Sequence, residues 1–463
     1  MYFLLRSLYP NLDDIEYKKF RLLGVVFFLL IGTYWLLRLL KQAIFFKVAF
    51  PVSLGWWPDA GADLQPTAKK WSVFIVLLLV LVYSKLVDKF KRHQLFYILC
   101  TFYASIFLAV GLVIFVSEVY GPRAVGRDLL ALTGWVSYYA IESFGSLIVA
   151  LFWAFTNSIT DNEKAKEGFP LVVGLGQIGA IIGSSMLILS PYIGVFWPLL
   201  FGSSILVALV IPLIRHFINT TPKEHLVGYK AAAKSNDQKE GPIKSFFSGL
   251  ILLLTRPYLF GILVISTFYE LVSQIVEYQM NKQAGKIFHS DTLFAQFEGF
   301  YGVCINSLSL LIALLGTRYI LQRLGVRIGL LIYPVSFALL ITGLMIYYTY
   351  GAPAAMNLLL VTFIAMVLVK ALGYAVNNPT KEMMYIPTSK NAKFKTKSWI
   401  DTFGARFAKA GGASINDVLK GNMHDLVVYG NLFGLLFIFV WIFVAIYVGI
   451  KNRKLVAEGK VVD

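Results

Sequence analysis

Twelve apolar runs organise this sequence. They fall at 22–50, 71–88, 95–116, 129–156, 168–190, 193–214, 257–281, 296–317, 328–350, 357–376, 399–419 and 427–450. About 20 apolar residues is the length a helix needs to cross a ~30 Å hydrocarbon core. In lipid the backbone must satisfy its own hydrogen bonds, so these runs predict helices and not open sheets. The expected class is an all-α polytopic membrane protein with twelve transmembrane helices. The longest polar break holds "TPKEHLVGYKAAAKSNDQKEGPIK" near the middle of the chain. It divides the protein into a six-helix half at 1–215, a cytoplasmic linker at 216–256 and a second six-helix half at 257–463.

The composition agrees, with 58% hydrophobic, 15% aromatic and only 14% charged residues among 463. An ordinary soluble protein is excluded. The net charge of +17 could point to nucleic acid, so the location of the 42 Lys and Arg has to decide. With the N-terminus inside, the segments on the cytoplasmic side hold about 29 of them and those on the other side about 8. "SKLVDKFKRH" (84–93) is the clearest inside loop. The bias predicts both termini in the cytoplasm and anionic lipid, not nucleic acid, as the neighbour of the basic loops. Cys100 and Cys304 have neither zinc nor disulfide spacing, and five scattered His lack a pattern such as HExxH. No metal or other cofactor is expected. The first residues, "MYFLLRSLYPNLDDIEYKKFRLL", lack the features of a secretory or transit peptide.

Charges inside the runs carry the functional reading. Arg38 and Lys41 lie in the first span, Glu142 in the fourth, Glu270 and Glu277 in the seventh, Lys370 in the tenth, and Arg406 and Lys409 in the eleventh. Each costs about 2.5–3.5 kcal/mol to insert, so the eight together would oppose folding by roughly 20 kcal/mol unless paired or hydrated. Arg38/Lys41 and Arg406/Lys409 are i,i+3 pairs, and Glu270 and Glu277 are seven apart, so each pair shares a helix face. Five cations and three carboxylates describe a polar, net-positive cavity suited to a multiply charged anion such as a phosphate ester. Blander readings exist: Lys41 could snorkel, Lys370 could reach an interface, and any of the eight could be a structural ion pair. Lys381, Lys390, Lys393, Lys395 and Lys397 read as topogenic charges of the loop between spans ten and eleven. Tyr34, Trp35, Tyr138, Tyr139 and Tyr278 could stack on a base, although aromatics this common more often pack. No GxxxxGK[ST] is present, so ATP hydrolysis is not the expected energy source. "GLGQIG" (174–179) sits within a span, where its glycines would let helices approach closely.

Several segments occur in an order that resembles a known family. "KEMMYIP" (381–387), "KFKTKSWID" (393–401) and "RFAKAGGA" (406–413) are similar to the loop and eleventh-helix signature of the ATP/ADP translocases of the TLC family, the bacterial and plastid nucleotide transporters. "YWLLRLLKQAI" (34–44), "YSKLVDK" (83–89), "ESFGSLIVALFWAFTNSIT" (142–160), "AKEGFPLVVGLGQIGAIIG" (165–183) and "VEYQMNKQ" (276–283) resemble further family segments. The resemblance covers about residues 15 to 450. It implies a major-facilitator-like fold, alternating access and exchange of ATP for ADP, with Lys41, Glu142, Glu277 and Lys409 as important charges and Arg406 beside Lys409. It also implies a multi-pass protein of the inner membrane of an intracellular bacterium, with the plastid envelope as the second setting. Gln42 stands where the resembled family usually has Asp, and the resemblance assigns no family position to Lys370 and Glu270.

The expectation is therefore a transporter and not an enzyme, working as a monomer, with ATP and ADP as transported substrates and no cofactor. The alternative within the class is a proton-coupled importer of NTP or NAD, with Glu142, Glu270 or Glu277 carrying the proton. A polytopic membrane enzyme would need a catalytic set, and "DNE" (161–163) is all the chain offers. A scaffold would not need charge at mid-span.

Overall fold

The computed structural model describes residues 13–160, 162–222, 242–314 and 325–462. Among these the chain is almost entirely helical, with one isolated bridge between Thr388 and Val462. The principal helices are α1 (Asp14–Ala43), α2 (Ala60–Lys89), α3 (Arg92–Tyr120), α4 (Arg127–Ser158), α5 (Asn162–Ile188) and α6 (Trp197–Thr220). They are followed by α7 (Pro242–Thr255), α8 (Pro257–Ile287), α9 (Asp291–Ile312), α10 (Gly325–Gly351) and α11 (Ala355–Leu372). The last are α12 (Asn378–Met384), α13 (Lys390–Trp399), α14 (Ala405–Leu419) and α15 (Met423–Ala457). Ten helical stretches among the described residues are long and apolar enough to cross a membrane. The remaining two expected spans correspond to α9 and α14.

The helices outrun the apolar runs that predict them. The first begins at Asp14 because Asp13 caps it, its carboxylate accepting the Glu16 N–H at 2.7 Å. Asp14 and Glu16 then sit in the first turn, where negative charge complements the helix dipole. The second begins at Ala60, so Asp63, Lys69 and Lys70 are helical and not loop residues. Within the stretch expected as a polar linker, Pro242–Thr255 forms α7.

The largest departure concerns residues 377–398, expected as a loop. The tenth span runs without interruption from Ala355 to Met384, passing from α11 through a π-helical turn at Gly373–Asn377 into α12. Pro379 lies inside this continuous helix, where its missing N–H removes one bond of the ladder just after the π turn. Only Tyr385–Ser389 break the path before Ser389 caps α13, its hydroxyl accepting the Ala392 N–H at 3.2 Å. A second π turn, Ile400–Gly404, joins α13 to α14.

Two compact units form. One gathers Met1–Ala60, Leu78–Lys239 and Ser290–Val303; the other gathers Gly61–Leu77, Glu240–His289 and Cys304–Asp463. In the first unit α1 runs along α5, and glycines make the approach possible. A Cβ on Gly183 would meet the carbonyl of Gly32, and one on Gly179 the carbonyl of Phe28. Within "GLGQIG", Gly176 and Gly179 therefore pack against α1, while Gly174 faces open space. In the second unit α8 is the central helix, packing on α11, α14 and α15.

Candidate functional site

In the first unit, Lys41 is 3% exposed on α1 and Glu142 comes from α4. Their side chains form an ion pair, with the ammonium also 4.4 Å from the Tyr138 ring centroid. This placement rules out snorkelling. The ring of Tyr34 rests on Gly145, one turn beyond Glu142, and only a glycine leaves room for it. Arg38 stacks its guanidinium 4.9 Å from the Trp35 ring, three residues earlier on the same helix. Gln42, next to Lys41 on α1, leaves its buried Oε1 without a hydrogen bond among the described residues. Of the aromatics proposed for stacking, Trp35, Tyr138 and Tyr278 are buried in packing. Tyr34 and Tyr139 keep partial exposure.

The second unit holds two further pairs, both on α8. Glu277 Oε2 lies 3.1 Å from Lys370 Nζ of α11, and Glu270 Oε2 lies 3.5 Å from Lys409 Nζ of α14. Lys370 is 8% exposed, so it does not reach an interface. The second pairing depends on a close helix contact. A Cβ on Gly412 would lie 2.5 Å from the Leu271 carbonyl, so "KAGGA" allows α14 to rest directly on α8. Asn416 adds a hydrogen bond of 3.0 Å from Nδ2 to the Gln274 carbonyl, two turns beyond Lys409. The π turns at Gly373–Asn377 and Ile400–Gly404 sit beside this cluster, each just preceding or following one of its lysines. Such turns widen a helix by one residue and recur at functional positions.

All eight sequence-selected charges therefore lie on helices, and six of them form three opposite-charge pairs across helices. Arg406, half-buried, lies one turn before Lys409 on α14. Sequence reasoning missed Lys381 and Tyr269. Lys381 is on α12, its ammonium 4.8 Å from the Tyr269 ring, and the Tyr269 hydroxyl donates to Glu270. It also missed a group at the other end of α8. There Lys282 pairs with Asp63 at 2.9 Å and donates to the Lys420 carbonyl. Lys420 bonds Asp417 at 2.8 Å and the Asp63 carbonyl at 3.0 Å, and Lys70 pairs with Asp417. Asp63, Lys70, Lys282 and Lys420 flank the apolar runs, where hydropathy alone assigns them to loops, and Asp417 lies just inside the end of its run.

Among the described residues, no group of three or more His, Cys, Asp or Glu could hold a metal ion. What the arrangement offers is three lysines, Lys41, Lys370 and Lys409, each paired with a carboxylate, in helices otherwise fit for lipid. Such cations bind phosphate groups when the carboxylate yields them.

Comparison with known proteins gives a consistent picture. The model of the TLC ATP/ADP transporter family matches residues 4–451. "ADP,ATP carrier protein 1" of Chlamydia pneumoniae is 25% identical, covering 90% of this chain and 87% of that protein. "ADP,ATP carrier protein 1, chloroplastic" of Arabidopsis thaliana is also 25% identical, covering 89% and 70%. Among solved structures, the nucleoside transporter NupG aligns over 96% of this chain and 100% of its own, with a TM-score of 0.57 and 15% identity. A bacterial homologue of the iron transporter ferroportin, in an inward-facing state, aligns over 95% and 100% with a TM-score of 0.61 and 12% identity. At these identities the structural likeness establishes the fold, a facilitator-like helical transporter fold.

Proposed function

The chain belongs to the TLC ATP/ADP transporter family, and from that premise we propose that it exchanges ATP for ADP across a membrane by alternating access. The observation that carries the reading is the pairing of the motif-matched charges. Lys41, Glu142, Glu277 and Lys409 all lie on helices of the bundle, and each has an opposite charge from another helix beside it. Lys41, Lys370, Lys409 and Arg406 are the cations proposed to take the phosphates, with Arg38 on the same face as Lys41. Glu142, Glu270 and Glu277 hold those cations when no nucleotide is bound. Tyr34 and Tyr139 are available to the base.

This arrangement accounts for one-for-one exchange. A phosphate chain competes with the carboxylates for the lysines. When it leaves, the ion pairs re-form and hold the empty protein until another polyanion arrives. ATP carries about one more negative charge than ADP, so exchange moves charge, at ~2.3 kcal/mol per charge per 100 mV. Potential and nucleotide gradients then set the direction together. The proposed setting is the inner membrane of an intracellular bacterium, with both termini in the cytoplasm, the two six-helix halves as the repeating parts, and a monomer as the working unit.

The test is uptake of radiolabelled ATP by purified protein in liposomes loaded with ADP, with NAD or with nothing. Uptake confined to ADP-loaded vesicles, and lost in Lys409→Ala, is the expected result. Equal uptake into empty vesicles, rising with an imposed proton gradient, would replace exchange by proton coupling through the carboxylates.

A further inference from the structure

We propose that Lys381 is an additional phosphate-binding residue of the second unit, held ready by the ring of Tyr269; the inference rests on the nucleotide-transport reading and extends it to a residue beyond the eight charges selected from the sequence.

Four observations converge on it. First, Lys381 is not a loop lysine, since the span that carries it runs unbroken from Ala355 to Met384. Second, its ammonium turns toward α8, 4.8 Å from the centroid of Tyr269. A cation over an aromatic face is attracted by the ring's quadrupole, at some cost in hydration. A topogenic lysine seeking headgroups has no reason to accept that cost. Third, Tyr269 is tied to the cluster by its hydroxyl, which donates to Glu270. One aromatic side chain thus carries Lys381 on its face and Glu270 at its edge. Fourth, Glu382, the acidic neighbour in sequence, is engaged by Lys397 of α13 at 2.6 Å.

Glu270 is the hinge of the argument. Its carboxylate feels Lys409, Lys370 and Lys381, three cations from three helical segments around one acid. Only Lys409 stands beside it, at 3.5 Å, while Lys370 is held by Glu277 at 3.1 Å and Lys381 by the Tyr269 ring, so the one carboxylate does not engage all three. A di- or triphosphate offers more oxygens and more charge than one carboxylate. It therefore draws Lys409 from Glu270 and Lys381 from the Tyr269 ring together. In this view Glu270 occupies the phosphate position in the empty protein.

The probe is inorganic tripolyphosphate, which has the polyphosphate chemistry without base or sugar. Its binding, and that of ATP, is measured by calorimetry on purified full-length protein in detergent. Lys381→Met should weaken both about ten- to a hundred-fold, the effect of losing a charge-assisted hydrogen bond. Lys381→Arg should restore them, and Lys393→Met, an exposed lysine of α13, should bind as wild type. Folded Lys381→Met protein that binds both as wild type does would overturn the inference while leaving the transport reading intact. Wild-type protein that binds neither would overturn both. Should Lys381→Met fail to fold, wild-type protein still decides, by amine-reactive labelling read by mass spectrometry. Tripolyphosphate should shield Lys381 and leave Lys393 reactive; equal labelling of Lys381 with and without it would overturn the proposal.

Discussion

Lys370 Nζ of α11 lies 3.1 Å from Glu277 Oε2 of α8, with the two side chains only 9% and 16% exposed. Such a pair offsets most of the cost of placing both charges among apolar helices, whereas either charge alone would bear that cost unrelieved. Lys370→Met should destabilise the protein by about 3–5 kcal/mol. The double variant Lys370→Met with Glu277→Gln should recover much of the loss, because no charge is left stranded. Thermal unfolding of purified protein in detergent measures this. A double variant no more stable than Lys370→Met would mean that the two residues are not coupled.

The pair between Lys41 and Glu142 makes a kinetic prediction. If nucleotide phosphate competes with Glu142 for Lys41, removing each partner has opposite effects on apparent affinity. Glu142→Gln should lower KM for ATP and slow exchange, since release no longer has a carboxylate to replace the phosphate. Lys41→Met should raise KM, each change being about ten-fold. Initial rates of exchange in liposomes separate the two. A rise in KM for both variants would make Glu142 a scaffold for Lys41 and not its competitor.

The helices and their charges were legible in the sequence for one reason. Lipid imposes a length on apolar runs and a cost on charge, and both leave marks that a linear reading can see. Glu142, Glu270, Arg406 and Lys409 stand out by depth alone. The pairing was not legible, because depth along a helix says nothing about which neighbour it faces; that Glu270 meets Lys409 while Glu277 meets Lys370 is set by how α8, α11 and α14 are rotated. Lys381 was hidden because the apolar run ends at residue 376, whereas the helix continues through a π turn to Met384. Asp63, Lys70 and Lys282 were hidden where helices continue past the apolar run, and Asp417 and Lys420 at the very end of theirs.

That last group distinguishes exposed from buried ion pairs. Lys70 and Asp417 are 34% and 25% exposed, so solvent screens them. Lys70→Met should cost about 1 kcal/mol or less. Lys282 is 6% exposed and serves Asp63 and the Lys420 carbonyl together. Lys282→Met leaves an acid and a carbonyl short of their donor, and should cost roughly 2–4 kcal/mol. Equal melting temperatures for the two variants would contradict this ordering.

Glycines of α1 and α5 supply a steric prediction with an internal control. In a soluble helix Gly→Ala stabilises by about 1 kcal/mol through backbone propensity. Gly174 faces open space, so Gly174→Ala should be neutral or mildly stabilising. Gly183 has the Gly32 carbonyl where its Cβ would go, and the nearest atoms are all backbone. No side chain can swing aside there, so α5 must shift away from α1. Gly183→Ala should therefore destabilise by at least the ~1–3 kcal/mol of an overpacked core, despite its better helix propensity. Gly32→Ala, whose Cβ would meet the Gly179 carbonyl, should behave the same way. Combining Gly32→Ala with Gly183→Ala should cost less than the sum of the two, because one separation of the helices relieves both clashes. Melting temperatures of the four variants test this, and a Gly183→Ala protein as stable as Gly174→Ala would show that α1 and α5 do not meet through backbone.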